Sequence, residues 1–234
     1  GSMSKLVHIA SSRSIGVRCK EWASAHLPKG VALTPSQDDA DVFISVMHDT
    51  LLDERYIAGP GPHGPRRCYN FHPGLLPQYR GSGAFSWAII NGEKETGITL
   101  HELDVDVDHG PIIAQWKFPI YPDNTAEDLF KEAMYQMYQM FEQFFLDLIE
   151  DGDERPPLAR TAQDESKAKV YYRRDLERAR DLTRFVRAFT FAGKPSAFFR
   201  TRTGERKEIV FRLVDEAAPR ADERSTGRPK PRGC

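Results

Sequence analysis

Three features of this 234-residue chain predict an α/β fold with a Rossmann-like, mostly parallel sheet and helices on both faces. Short, nearly continuous apolar runs recur through the first half, the pattern of strands buried on both faces. Stretches able to form helices or loops separate them, which suits crossover connections. One long amphipathic segment, 125–150, repeats its apolar residues at helical spacing and belongs across the sheet. A small C-terminal α+β subdomain is expected after it.

Along the chain, Leu6–Ala10 is apolar except for His8 and reads as a buried strand. Val31–Thr34, Val42–Met47 and Cys68–His72 are the next three strand candidates. Ser82–Asn91 reads as a helix that Gly92 stops. Gly97–Leu103 and Pro111–Ile120 read as strands around an acidic turn, Asp104–Gly110. In the long helix Thr125 is the expected cap, with Asp128 at the capping-box distance. Its Phe130, Ala133, Met137, Phe141 and Phe145 stripe reads as core packing. Residues 3–150 are thus expected to form a catalytic domain and 151–165, with Pro156-Pro157, a surface linker. Residues 166–214 follow as a helix (176–191) and a hairpin (197–203 with 207–214). Residues 215–234 are rich in charge, Pro and Gly and are expected to be disordered.

Hydrophobic residues make up 40% and charged residues 29%, which excludes collagen and wholesale disorder. No apolar run reaches the ~20 residues that cross a bilayer, and the start lacks the features of a signal peptide. Three cysteines without ligand spacing indicate neither a zinc site nor a disulfide scaffold. A cytoplasmic protein is expected. The net charge of −1 hides an asymmetry: residues 1–165 carry −11 and residues 166–212 carry +9. The basic block could meet an anionic partner or dock on the acidic main domain.

Chemistry concentrates in the middle of the chain. Asn70 and His72 stand at i and i+2 near a strand's C-terminal end, so they share one face. Open parallel sheets bind ligands at that end. Pro73-Gly74 then turns the chain. Asp108 closes the acidic turn, and a carboxylate beside an imidazole would orient it and favour its charged form. Asp104, Asp106 and Asp108 alternate as in some cation loops, but the glycine and distal Glu of an EF-hand are missing, and no metal is assigned.

The run Asn70-Phe71-His72-Pro73-Gly74-Leu75-Leu76-Pro77, Tyr79-Arg80-Gly81, Trp87-Ala88-Ile89-Ile90-Asn91-Gly92-Glu93, Thr96-Gly97-Ile98-Thr99-Leu100-His101 and Asp108-His109-Gly110-Pro111 resembles the folate-dependent formyltransferase family. The likeness is dense over residues 41–120. It implies transfer of a formyl group from 10-formyltetrahydrofolate to a primary amine, with Asn70, His72 and Asp108 as the catalytic set. It places the folate beside the Asp104–Gly110 turn, so Asp104, Val105, Val107 and Gly110 are cofactor-binding candidates. Met47, Leu51, Trp87 and Ile98 are candidate pocket walls. Tyr79, Arg80 and Gly81 are candidate substrate contacts, Arg80 for a phosphate. Sixty-nine residues precede Asn70, fewer than is usual in the family, which implies that one β-α unit is shortened or lost.

Within the family, the segments Val186–Phe191 and Pro195–Phe199 look most like the short sugar N-formyltransferases. These act on nucleoside-diphosphate-linked amino sugars such as 4-amino-4,6-dideoxyhexoses. A nucleotide-sugar substrate is therefore expected, with no membrane partner and with nucleic acid kept only as a minority reading. Methionyl-tRNA, glycinamide ribonucleotide and hydroxyornithine-like amines are the alternatives, and an inactive sensor is a third class. The family also implies a homodimer through the C-terminal region, where Phe198, Phe199 and Phe211 offer apolar surface.

Overall fold

The computed structural model describes residues 5–172, 182–191, 198–200 and 206–208. The chain begins with β1 (Lys5–Ala10), α1 (Ile15–His26), β2 (Val31–Leu33) and β3 (Val42–Val46). Next come α2 (Glu54–Ala58), the two-residue strands β4 (Pro60–Gly61) and β5 (Gly64–Pro65), β6 (Arg67–His72) and β7 (Arg80–Gly81). Then follow α3 (Ala84–Asn91), β8 (Glu95–Glu102), β9 (Ile112–Pro119) and the long α4 (Ala126–Ile149). A 3-10 turn at Glu165–Lys167, β10 (Val170–Tyr171), α5 (Leu182–Ala188), β11 (Phe198–Arg200) and β12 (Arg206–Glu208) close the described chain.

Six strands form one sheet in the order β2-β1-β3-β6-β8-β9. The first four are mutually parallel, and β8 runs antiparallel to both its neighbours. The crossover from β2 to β3, residues 34–41, contains no helix. The six strands expected in the first 120 residues are therefore present within one or two residues of their predicted limits. The pairing of β11 with β12 falls within the expected hairpin, and α5 within the expected helix. Residues 176–181 and 215–234, and most of the hairpin flanks, lie outside the described residues.

Helix α1 is weakly marked in the sequence because its buried stripe is narrow: Ile15, Gly16, Cys19 and Ala23. Helix α4 is strongly marked. Thr125 accepts the Asp128 N–H and Asp128 accepts the Thr125 N–H, a reciprocal capping box with Asp in the usual Glu position. One side of α4 buries Leu129, Ala133, Met137, Phe141, Phe145 and Leu148.

The two faces of the sheet are covered unequally. On one, Ile44, Tyr69, Phe71, Ile98 and Leu100 are essentially inaccessible and join a single large core with α1, α3 and α4. Phe141 contacts Phe71, Trp22 and Phe145 at ring separations of 5.9, 6.2 and 5.1 Å. The opposite face has only a small cluster of Ala10, Phe43 and Cys68, flanked by Leu52, Tyr56 and Leu103. Among the described residues its one helix is the five-residue α2, whose Tyr56 ring meets Phe43 edge-on. No helix among the described residues is long and apolar enough to cross a membrane.

The expected mutational contrast follows from the core. Phe141→Ala should destabilise the protein by about 3–5 kcal/mol in urea unfolding, because it removes a fully buried ring. Tyr135→Ala, on the exposed side of the same helix, should stay within about 0.5 kcal/mol.

Candidate active site

The thinly covered face carries the polar residues. Ser45 pairs with Asn70 in the β3–β6 register, Asn70 with His101 and His72 with Thr99 across β6 and β8. Cross-strand partners point to the same side, so these groups form a polar patch on a sheet whose other side is mostly apolar. Pro73 and Gly74 then turn the chain immediately after His72. Thr99 locks that turn by donating its hydroxyl to the Gly74 carbonyl at 2.7 Å and accepting the Leu76 N–H at 3.2 Å. Gln115 adds a bond to the Leu76 carbonyl at 2.7 Å. A Cβ on Gly74 would come within 2.9 Å of His72 Nε2 and of Ala84 Cβ, so only glycine fits beside the imidazole.

His72 is 3% exposed. Its Nε2 lies 2.6 Å from the Tyr79 carbonyl. A carbonyl only accepts, so Nε2 bears the hydrogen and Nδ1 is left facing Asp108 Oδ2 at 3.4 Å. Asn70 Nδ2 donates to His101 Nε2 at 3.1 Å, while His101 Nδ1–H is taken by the Glu102 carbonyl at 2.7 Å. That arrangement sets the His101 tautomer and aims the Asn70 amide. His101 Nε2 also stands 3.6 Å from Asp108 Oδ1.

Asp108 has a left-handed backbone, φ 49°, at a cost of about 1–2 kcal/mol for a side-chain-bearing residue. Such a conformation persists where its surroundings over-determine it. Here Asp108 Oδ2 accepts the Gly81 N–H at 2.8 Å. Burial opposes a charged carboxylate, but the His72 and His101 imidazoles and the Gly81 N–H outweigh it and hold Asp108 well below the usual carboxylate range. Burial pulls His72 below the ordinary imidazole value, with the Asp108 charge working against that pull. Among the described residues, no cluster of three His, Cys, Asp or Glu side chains could hold a metal ion.

A hollow of about 180 Å³ opens beside this set. Phe43, Leu52 and Leu103 line it, and Asn70 and Asp108 stand on its wall. Of the residues the sequence nominated for the folate, Leu51, Asp104, Val105 and Val107 line the hollow. Leu51, Val105 and Val107 are 82%, 57% and 42% exposed, an unusual run of solvent-facing aliphatics. The other nominees lie elsewhere. Met47 packs against the main core, and Ile98 is buried within it. Trp87 packs on the Tyr171 ring and donates its indole N–H to the Tyr172 carbonyl. Gly110 abuts the Glu102 carbonyl, where a Cβ would clash.

The three substrate candidates also have internal partners. Tyr79 is buried, stacks on Tyr171 at 5.1 Å and donates its hydroxyl to Glu93 at 2.6 Å. Arg80 is 6% exposed, and its guanidinium bonds Gln163 and Glu165. Gly81 has φ 89° and packs against the Tyr171 carbonyl where β7 pairs with β10. An arginine in a loop reads as solvent-facing until its partners, 83 and 85 residues further on, are known. His101 went without a role in the sequence reading. Alternation along Gly97–Leu103 puts it on the face of Thr99, but only the β6–β8 register brings it to Asn70.

Comparison with known proteins identifies the family and the fold. A family model described as formyl transferase matches residues 26–143. A methionyl-tRNA formyltransferase from Synechococcus sp. (strain JA-3-3Ab) is 31% identical over 198 residues, covering 81% of this chain and 57% of the relative. The chain spans 28% to 57% of the length of the methionyl-tRNA formyltransferases it matches. Among solved structures, a 4-N formyltransferase from Francisella tularensis superposes with a TM-score of 0.74 at 18% identity, covering 92% of this chain and 99% of the other. The N-formyltransferase of Helicobacter canadensis, described in complex with folinic acid and dTDP-3-aminofucose, gives 0.65 at 22% identity, covering 81% of each chain. With half of its length, residues 26–143, matched by the family model, this chain belongs to the formyl transferase family.

Proposed function

We propose that this chain is an N-formyltransferase that moves a formyl group from 10-formyltetrahydrofolate to the primary amine of a nucleoside-diphosphate-linked amino sugar of the 4-amino-4,6-dideoxyhexose type. The observation that carries the reaction is the placement of Asn70 and Asp108 on the wall of the hollow, with the buried His72 imidazole 3.4 Å behind the Asp108 carboxylate. Its apolar walls and the exposed Leu51, Val105 and Val107 suit a flat heterocycle. About 180 Å³ is less than the ~300–1,000 Å³ that encloses a drug-sized ligand, so the hollow takes one ring system and leaves the rest along its rim.

When bound, 10-formyltetrahydrofolate supplies an electrophilic formyl carbon. Asn70 has one amide hydrogen committed to His101 and a second to direct at an oxygen on which negative charge builds. The His72–Asp108 pair takes the proton that the incoming amine surrenders and can pass it to the donor nitrogen from which the formyl group departs, so the transfer needs no other acid or base. Burial favours the neutral form of His72, and a proton arriving at Nδ1 completes an imidazolium–carboxylate pair across the 3.4 Å gap. The Tyr79 carbonyl keeps the ring from turning away.

The substrate class rests on the superposition that covers 99% of the Francisella enzyme, and on a neighbour described with a dTDP-linked amino sugar. The curated sequence relatives favour a second reading, methionyl-tRNA. A cytoplasmic location and a homodimer through the C-terminal region belong to the same proposal. A panel of nucleotide-linked amino sugars assayed with 10-formyltetrahydrofolate should give turnover with at least one member. Turnover on charged methionyl-tRNA alone would sink the sugar reading.

Two residue-level outcomes follow. Asn70→Ala should lower kcat by about 10²–10³-fold and His72→Ala by about 10²–10⁴-fold, with folate binding retained in calorimetry. Side-chain ¹⁵N spectra at pH 6.5 should find His72 neutral and protonated at Nε2. An imidazolium at that pH, or the Nδ1–H form, would contradict the assignment of Nδ1 as proton acceptor.

A further inference from the structure

The segment after α4 reaches back across the sheet face and touches the Asp108 loop itself. Thr161 bridges to Ile112 by a pair of backbone bonds, and β10 pairs with β7. Between these two anchors, Gln163 uses its whole amide. Its Nε2 donates to the Asp108 carbonyl at 2.8 Å and to the Gly110 carbonyl at 2.9 Å. Its Oε1 accepts from Arg80 Nε at 3.0 Å and from Arg80 Nη2 at 2.8 Å. Guanidinium only donates and carbonyls only accept, so the amide has a single satisfactory orientation. Arg80 is held in turn by both Glu165 oxygens, at 3.0 and 2.6 Å. The next residue, Gly81, gives its N–H to Asp108 Oδ2. The strained residue is therefore gripped at its carbonyl by Gln163 and at its carboxylate by the strand that carries Arg80.

We propose that Gln163, oriented by Arg80, is a positioning residue for Asp108, holding it in the left-handed conformation that turns its carboxylate toward His72. Gln163 lies beyond residues 26–143, which match the family model, and serves the site from outside that stretch. The hydrogen bonds stand on the geometry alone. The consequence for kcat rests on the proposed formyl transfer.

Gln163→Glu is the informative substitution. It keeps an acceptor for Arg80 but sets a carboxylate against two carbonyls. Arg80→Lys is the companion, since an ammonium cannot supply the fork that orients Gln163. Amide hydrogen exchange followed by NMR reads the grip without any substrate. The Gly81 amide, bonded to Asp108, should exchange about tenfold faster or more in both variants, with the Arg80 and Ser82 amides within about twofold of the parent. Those two amides bond the Lys169 and Tyr171 carbonyls and report whether the segment itself stays attached. In steady-state kinetics kcat should fall about 10- to 100-fold with KM values within about twofold, as expected for a misplaced reacting group. Unchanged Gly81 exchange overturns the inference. So does acceleration of all three amides together, which makes Gln163 only a fastener of the segment. So does a parental kcat despite release of Gly81. If the parent protein formylates no amine at all, the proposed function fails, and the exchange measurement alone decides the role of Gln163.

Discussion

A carboxylate pressed against a buried imidazole is costly to build, and the rest of the site is organised to hold it. Asp108 sits in a backbone conformation that side-chain-bearing residues rarely adopt, and His72 is almost fully desolvated. Neither would stay in place through its own chain neighbours. Support comes instead from the Gly81 N–H, the Tyr79 carbonyl, the Thr99 hydroxyl beneath the turn and His101 beside Asn70. The Gly81 N–H only donates and the Tyr79 carbonyl only accepts, so the tautomer of His72 follows from its surroundings. Pre-organised dipoles and charges of this kind act on developing charge without reorganising.

The unequal sheet faces explain how such a polar assembly is tolerated in a small protein. Nearly all of the apolar burial is placed on the α1, α3 and α4 side, where Phe71, Phe141 and Phe145 meet. That face stabilises the strands. The other face is then free to carry Asn70, His72 and His101, because the strands need not gain further apolar contacts there. The same β6 residues serve both ends, since Tyr69 and Phe71 alternate with Asn70 and His72. Core and chemistry are thus coupled through one strand with a period of two.

The segment after the long helix changes how the domain boundary is understood. Its Pro-Pro start and polar composition read as a surface linker, and it does run over the surface. Yet Arg160 pairs with Asp151 and Glu102, and Gln163 bonds the Asp108 loop. Arg80, nominated from the sequence as a phosphate contact, is spent within this strap. Sequence could not expose that role, because a buried guanidinium and a solvent-facing one have the same local pattern, and the partners are remote.

By itself the sequence determined the strands, the long capped helix and the pairing of Asn70 with His72 on one face, because these follow from local periodicity and from short-range hydrogen bonding. The family likeness added Asp108. Tertiary structure alone decided which side of the sheet would stay thinly covered, that His101 would stand beside Asn70, and that Gln163 and Arg80 would reach Asp108. Those outcomes depend on strand register and on contacts between residues many tens of positions apart. Local propensity carries no information about either.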